Sequence, residues 1–247
     1  MRPTIPSQIS YSFGPGRLTP GVRALIAASV AGYLLTLAVP SLAFRLGLVP
    51  ALVFERWWIW QPVTYLFEHG GMFHLLFNML ALWMFGLELE RLWGTRFFVR
   101  YYFITGIGAA ATTMLASLLP FGFADAMYGS VTVGASGAIY GLLLAYAMTY
   151  PNRPIYVYLV FPIPAKIFVL IFGAISFLSS VTGTGGGVAH ITHLGGLVVG
   201  YLYLAGRRGQ IGSTIRSQYL RWRMARLRKR FDVHEGGRPG DKGPWVH

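Results

Sequence analysis

The feature that most constrains this chain is a series of apolar stretches, each close to the length of a membrane-crossing helix, at about residues 22–39, 71–92, 96–119, 134–150, 165–180 and 187–205. A span needs about 20 mostly apolar residues. Within hydrocarbon the backbone must satisfy its own hydrogen bonds, which only helices and closed barrels achieve. These stretches are continuously apolar rather than alternating, so the sequence predicts an all-α, polytopic membrane protein of six transmembrane helices. Composition agrees: of 247 residues, 54% are hydrophobic and only 12% charged, outside the range of an ordinary water-soluble domain.

The polar segments divide the chain into three parts. Residues 1–20 read as a flexible N-terminal leader, 21–206 as the membrane domain and 207–247 as a basic tail. Ser41-Leu42-Ala43 mimics a signal-peptidase site, but the apolar run before it exceeds the ~7–15 residues of a signal-peptide core, so the first span is read as retained. Residues 41–68 group Trp57, Trp58 and Trp60 beside Glu55, Arg56 and Gln61, a composition suited to the membrane–water boundary. Gly94, between the charged ends Arg91 and Arg96 of the stretch 91–96, marks a tight turn. Residues 120–132 read as a loop. The stretch 155–164, interrupted by Pro162 and Pro164, reads as an interfacial segment before the fifth span.

Charge sets orientation. The net charge of +13 does not require a nucleic-acid partner, because in a polytopic protein basic residues collect on the cytoplasmic side and meet anionic lipid. With the N-terminus inside, Arg17, Arg23, Arg91, Arg96, Arg100, Arg153 and the tail are cytoplasmic, while Arg45 and Arg56 lie outside. Both termini are therefore expected in the cytoplasm. The tail interleaves Arg with Tyr219, Leu220, Trp222, Met224, Leu227 and Phe231 and reads as an amphipathic helix on anionic lipid. A topology signal with no further role explains the same charges. The chain has no cysteine, which excludes disulfides, thiolate zinc sites and a cysteine nucleophile.

Polar groups inside the spans are costly and carry a functional expectation. They are His74, Asn78, Glu88, Glu90, Ser136, His190 and His193. A lone serine in such a helix usually returns its hydroxyl to a backbone carbonyl. Ser136, however, sits between Gly134-Ala135 and Gly137 where a helix begins, so free N–H groups and a positive dipole end are available to a developing oxyanion. Gly137 and Gly141 follow Ser136 on one span; Gly196 and Gly200 share a face with His193 on another. Close packing of the two faces would bring Ser136 within reach of a histidine base. His190, one turn earlier, is also a possible base on geometry alone. His74 and Asn78, four residues apart, share a face and can both donate hydrogen bonds to an oxyanion, although Asn78 could equally bond a neighbouring helix. A zinc site built on His69, His74, His190 and His193 is disfavoured by the spacing and by the lack of an acidic residue in either cluster.

Taken together, His69-x4-His74-x3-Asn78, Gly134-Ala135-Ser136-Gly137 and His193-x2-Gly196-Leu197-x2-Gly200 resemble the rhomboid family of intramembrane serine proteases. The resemblance covers about residues 22–205. It implies Ser136 as nucleophile, His193 as general base, and His74 and Asn78 as oxyanion donors with the Ser136 backbone N–H. Tyr140 matches the aromatic residue that packs on the catalytic histidine. Glu90, Arg91 and Gly94 match a structural turn at the end of the second span. One departure is Trp60-Gln61, where many members have Trp-Arg; the position is expected to serve loop structure.

The resemblance implies an endopeptidase that cuts transmembrane segments of other membrane proteins near the extracytoplasmic boundary, with no cofactor. The expected location is the plasma (inner) membrane of a prokaryote. The Ser136–Tyr150 stretch spans roughly 22 Å at ~1.5 Å per residue, short of the ~30 Å hydrocarbon core, which puts Ser136 below the outer surface in a water-filled cavity. Two alternatives stand beside this reading: a catalytically silent rhomboid-like protein that binds transmembrane helices, and a transporter, disfavoured because no inverted repeat is found.

Overall fold

Helices start and stop where the sequence supplies caps and breakers. The computed structural model describes residues 16–120, 122–157, 160–182 and 187–207. Helix α1 spans Pro20–Ala38, with proline in the first turn, where the missing N–H costs nothing. Three short helices follow, α2 (Leu42–Leu46), α3 (Pro50–Arg56) and α4 (Gln61–Thr64), and then a 3-10 turn, Tyr65–Phe67. Helix α5 (Met72–Ala81) continues through a π turn (Leu82–Gly86) into α6 (Leu87–Trp93). Gly94 (φ 79°) breaks it from α7, Thr95–Ala116. The remaining elements are α8 (Gly122–Gly129), α9 (Ser136–Thr149), strands β1 (Pro154–Val157) and β2 (Phe161–Pro164), α10 (Ala165–Thr182) and α11 (Gly187–Arg207).

The long helices coincide with the six apolar stretches. By length and apolarity, Pro20–Ala38 and Met72–Trp93 qualify as membrane spans, and Ser136–Thr149 and Ala165–Val181 are shorter apolar helices. Two connections differ in conformation from the sequence reading. Residues 154–164 form an antiparallel hairpin in which Pro154 pairs with Pro164 and Ile155 with Ile163. Its aliphatic and aromatic residues suit a pleated surface, and a two-stranded ribbon has edges that tolerate proline. The expected loop at 120–132 contains α8, whose Ala124, Ala126 and Met127 favour helix and whose Asp125 complements the dipole at the helix start.

Helix α7 lies at the centre, packed against α9, α6, α4 and α1. Phe98, Tyr101 and Tyr102 of α7 are fully buried, as are Tyr65, Leu66, Leu82, Leu87 and Leu89 around them. Two of the tyrosines pin neighbouring backbones: the Tyr65 hydroxyl donates to the Gly106 carbonyl at 2.6 Å, and the Tyr101 hydroxyl to the Gly141 carbonyl at 2.8 Å. Between α1 and α6, the buried Glu90 carboxylate accepts from the backbone N–H groups of Gly21 and Val22, each at 2.8 Å, and from the hydroxyls of Thr95 at 2.6 Å and Thr19. This carboxylate satisfies two N–H groups that the start of α1 leaves without helical partners.

Outward faces are apolar: Leu34, Leu35 and Leu37 on α1, Phe73, Leu76 and Phe77 on α5, and Leu170, Phe177 and Val181 on α10 are exposed. A water-soluble surface rarely carries so much contiguous apolar area. The chain divides into two units, Met1–Tyr203 and Leu204–His247. Of the second, only residues 204–207, which end α11, are described. The leader as far as residue 15 and the amphipathic helix expected in the tail lie outside the described residues.

Candidate active site

The segment leading to Ser136 is held by backbone pairing. Leu48 and Thr132 exchange N–H···O bonds, both at 2.8 Å, in an isolated antiparallel bridge, and the Gly134 N–H donates to the Tyr65 carbonyl at 2.9 Å. Gly134 has φ +121°, and a Cβ there would lie 2.7 Å from Cε1 of His74. Only glycine meets both conditions. The chain turns at Ala135 and starts α9 at Ser136, so the serine occupies the first helical position, where backbone N–H groups are uncommitted.

Helix α11 reaches α9 through glycine. A Cβ at Gly196 would overlap the Gly137 carbonyl, and one at Gly200 would lie 3.3 Å from the Gly141 Cα. The two glycine pairs seen in the sequence thus face each other at backbone contact. Thr113 of α7 and Thr192 of α11 add a hydroxyl–hydroxyl bond of 2.7 Å. At this closest approach Nε2 of His193 lies 2.8 Å from Oγ of Ser136, within hydrogen-bond range. The Tyr140 ring stacks on the His193 imidazole, with centroids 4.2 Å apart and planes 6° from parallel. His190 meets His193 edge-on at 5.9 Å.

His74 joins this cluster through its contact with Gly134, two residues before the serine. Its Nδ1 faces the Gly70 N–H at 3.4 Å. Asn78 is buried, and its amide donates to the His74 carbonyl at 2.7 Å. One amide proton remains for another acceptor. His69 stands edge-on to His74 at 5.3 Å. Burial, reinforced by the neighbouring His74, pushes the His69 imidazole down to about 4, so this ring is neutral near pH 7. Burial also raises the adjacent Glu68 carboxyl. Among the described residues no group of three or more His, Asp or Glu side chains is arranged to hold a metal ion.

Gln61, the departure in the first loop, is fully buried. Its Oε1 accepts from the Val49 N–H at 3.0 Å, and its Nε2 donates to the Phe44 carbonyl at 3.2 Å. The side chain therefore clamps the segments between α2 and α4. Sequence reasoning missed Ser176 of α10, which donates to the Tyr140 hydroxyl at 3.2 Å. Its signal was a hydroxyl inside an apolar helix, hidden by Ser179 and Ser180 close by.

A serine at a helix start, hydrogen-bonded to an imidazole and flanked by further donors, is the arrangement a serine hydrolase uses for acyl transfer. The family model described as the Rhomboid domain matches residues 56–209. The chain belongs to the rhomboid family, whose members are integral membrane proteins. It is 33% identical over 144 residues to the mitochondrial Rhomboid protein 1 of Saccharomyces cerevisiae, covering 56% of this chain and 38% of that protein. It is 30% identical over 156 residues to Rhomboid protease GluP of Bacillus subtilis (63% of this chain, 27% of that protein). It is also 30% identical over 165 residues to Rhomboid protease AarA of Providencia stuartii (59% of this chain, 54% of that protein). The chain thus covers little more than half of these relatives' length at most.

Proposed function

We propose that this protein is an intramembrane serine endopeptidase, with Ser136 as nucleophile and His193 as general base. The observation that carries the reading is the 2.8 Å contact between Ser136 Oγ and His193 Nε2 at the start of α9. His193 takes the hydroxyl proton as Oγ attacks a peptide carbonyl, then returns it to the leaving amine; water deacylates the serine by the same base. The oxyanion forms beside Gly134, where the Ser136 N–H, His74 and the second amide proton of Asn78 stabilise it. Gly137 lets α11 approach, and Tyr140 orients the imidazole. No cofactor enters the reaction.

The fold is read as six spans with both termini in the cytoplasm, in the plasma membrane of a prokaryote. On that topology the dyad opens to the extracytoplasmic side. Helix α9 has 14 residues, about 21 Å at ~1.5 Å per residue, so a helix start displaced inward from the outer boundary suits the site. Substrates are transmembrane segments of other proteins that unwind near that boundary, because a helical peptide bond has its carbonyl engaged and glycine or proline lowers the cost of freeing it. The basic tail meets anionic lipid.

The test is purified protein with a model transmembrane substrate and a fluorophosphonate probe. Ser136→Ala and His193→Ala are expected to abolish cleavage and labelling in folded protein, and His190→Ala to retain substantial turnover. Insensitivity to a chelator is expected. Turnover surviving in Ser136→Ala refutes the nucleophile; wild-type protein that neither labels nor cleaves favours a silent helix binder.

A further inference from the structure

Most hydroxyls in these helices return to their own backbone. Thr36 donates to Gly32 at 2.8 Å, Thr105 to Tyr101 at 2.9 Å, Thr149 to Ala145 at 2.8 Å and Ser180 to Ser176 at 2.7 Å, each to the carbonyl four residues earlier. This is the ordinary fate of serine and threonine in a helix with no water nearby. Ser176 departs from it. Its side chain is 1% exposed, and its hydroxyl leaves α10 to donate to the Tyr140 hydroxyl on α9 at 3.2 Å.

The consequence lies one ring further on. Tyr140 covers one face of His193. His193 uses Nε2 toward Ser136, while its buried Nδ1 has no hydrogen-bond partner among the described residues. No carboxylate there fixes the imidazole plane, and His190 meets it only edge-on. The flat tyrosine face is therefore what sets the plane, and a tyrosine ring can swing about its side-chain torsions unless its far end is held.

We infer that Ser176 is a positioning residue for the proposed dyad: by holding the Tyr140 hydroxyl, it keeps the tyrosine ring stacked on His193 and so keeps Nε2 aimed at Ser136. The inference rests on the Ser136–His193 reading for its effect on rate, but not for its effect on the ring. It gives α10, which contributes no group to the dyad, a direct mechanical link to the general base.

Two readouts test it. In protein labelled with 13C and 15N at histidine, the ring signals of His193, assigned by their loss in His193→Ala, carry the ring-current shift of the stacked tyrosine. Ser176→Ala is expected to move them toward unstacked values and Ser176→Thr, which keeps the hydroxyl, to restore them. In the kinetic arm, Ser176→Ala is expected to lower kcat and fluorophosphonate labelling together by about 3- to 10-fold, the worth of one net hydrogen bond, with KM unchanged. Tyr140→Phe is expected to lose as much, and the double variant no more than either single one, because both remove the same bond. Unmoved His193 signals in folded Ser176→Ala, or losses that multiply in the double variant, overturn the inference. If wild-type protein neither labels nor cleaves, the dyad falls and the histidine signals alone decide whether Ser176 holds the stack.

Discussion

Gly137→Ala probes the packing that brings Ser136 and His193 together. A Cβ at this position would lie 2.7 Å from the Ala109 Cβ, 3.3 Å from the Thr192 Cγ2 and 3.3 Å from the Tyr65 hydroxyl. Ordinary contact begins at 3.4 Å, so α9 must move from α7 by at least 3.4 − 2.7 = 0.7 Å. Ala109 has no side-chain torsion to turn aside and is fully buried, so the displacement falls on the helices. If it acts along the Ser136–His193 contact, 2.8 Å becomes 2.8 + 0.7 = 3.5 Å, beyond an effective hydrogen bond. Overpacking of this kind costs about 1–3 kcal/mol of stability, and uncoupling the base costs on the order of 10²–10⁴ in rate. The assay is the second-order rate of fluorophosphonate labelling beside a thermal unfolding curve in detergent. Gly129→Ala, where a Cβ meets nothing within 4 Å, serves as the control and is expected to match wild type. A folded Gly137→Ala protein that labels within twofold of wild type would refute the claim that close approach of these helices builds the dyad.

Three further outcomes follow from the same geometry. Asn78→Ala is expected to lower kcat by up to ~10²–10³ with little change in KM if its second amide proton meets the oxyanion; a change confined to KM would make it a packing residue. Glu90→Gln replaces an acceptor of four hydrogen bonds with an amide that must turn N–H toward N–H. The expected loss is at least about 2 kcal/mol, read as a lower unfolding midpoint, and an unchanged midpoint would show that the carboxylate does not tie α1 to α6. His69 binds its proton only near pH 4 when folded, against 6.5 as its ordinary value, so its contribution to stability is complete above about 6.5 and is lost as pH falls toward 4. The raised Glu68 carboxyl acts in the opposite sense, its contribution lost as pH rises above 4.5. Comparing unfolding midpoints of wild type and His69→Phe across that range isolates the histidine: the wild-type midpoint should fall relative to that of the variant on acidification, and a constant difference would refute its titration.

What the sequence could reveal divides along physical lines. Helix positions were legible because long apolar runs admit no other backbone in hydrocarbon, and the glycine pairs 137/141 and 196/200 were legible because small residues at helical spacing mark close approach. Residues 154–164 were less so: an aliphatic, aromatic and proline-containing run of about ten residues fits a strand or an irregular segment, and the pairing of Ile155 with Ile163 is a tertiary fact. The same limit hid the site's supports. That His74 rests against Gly134 depends on how the loop before α5 meets the segment before α9. Gln61 stood out as a departure from the family pattern, yet nothing local announced that its amide would join Val49 to Phe44. Ser176 was invisible because its departure from the backbone-bonding habit appears only when α9 lies beside it.

The acidic residues explain why an aromatic face orients the histidine in the proposed dyad. Of the carboxylates among the described residues, Glu90 accepts from the start of α1 and from Thr95. Glu88 pairs with Arg153 at 2.5 Å, Glu55 accepts from Tyr128 at 3.0 Å, and Glu68 precedes His69 in the loop before α5. Asp125 belongs to α8. A carboxylate next to His193 Nδ1 would have to be buried, at a penalty of several kcal/mol that its attraction to a neutral imidazole does not repay. Tyr140 fixes the plane of the ring without burying a charge, and its own hydroxyl needs one neutral partner, which Ser176 supplies. In the proposed mechanism the imidazolium formed at His193 would have no fixed counter-charge among the described residues. In that mechanism two groups stabilise the ion, the π face of Tyr140 stacked on it and the transition-state oxyanion beside it, so the groups proposed to hold the oxyanion also influence how readily His193 accepts the proton.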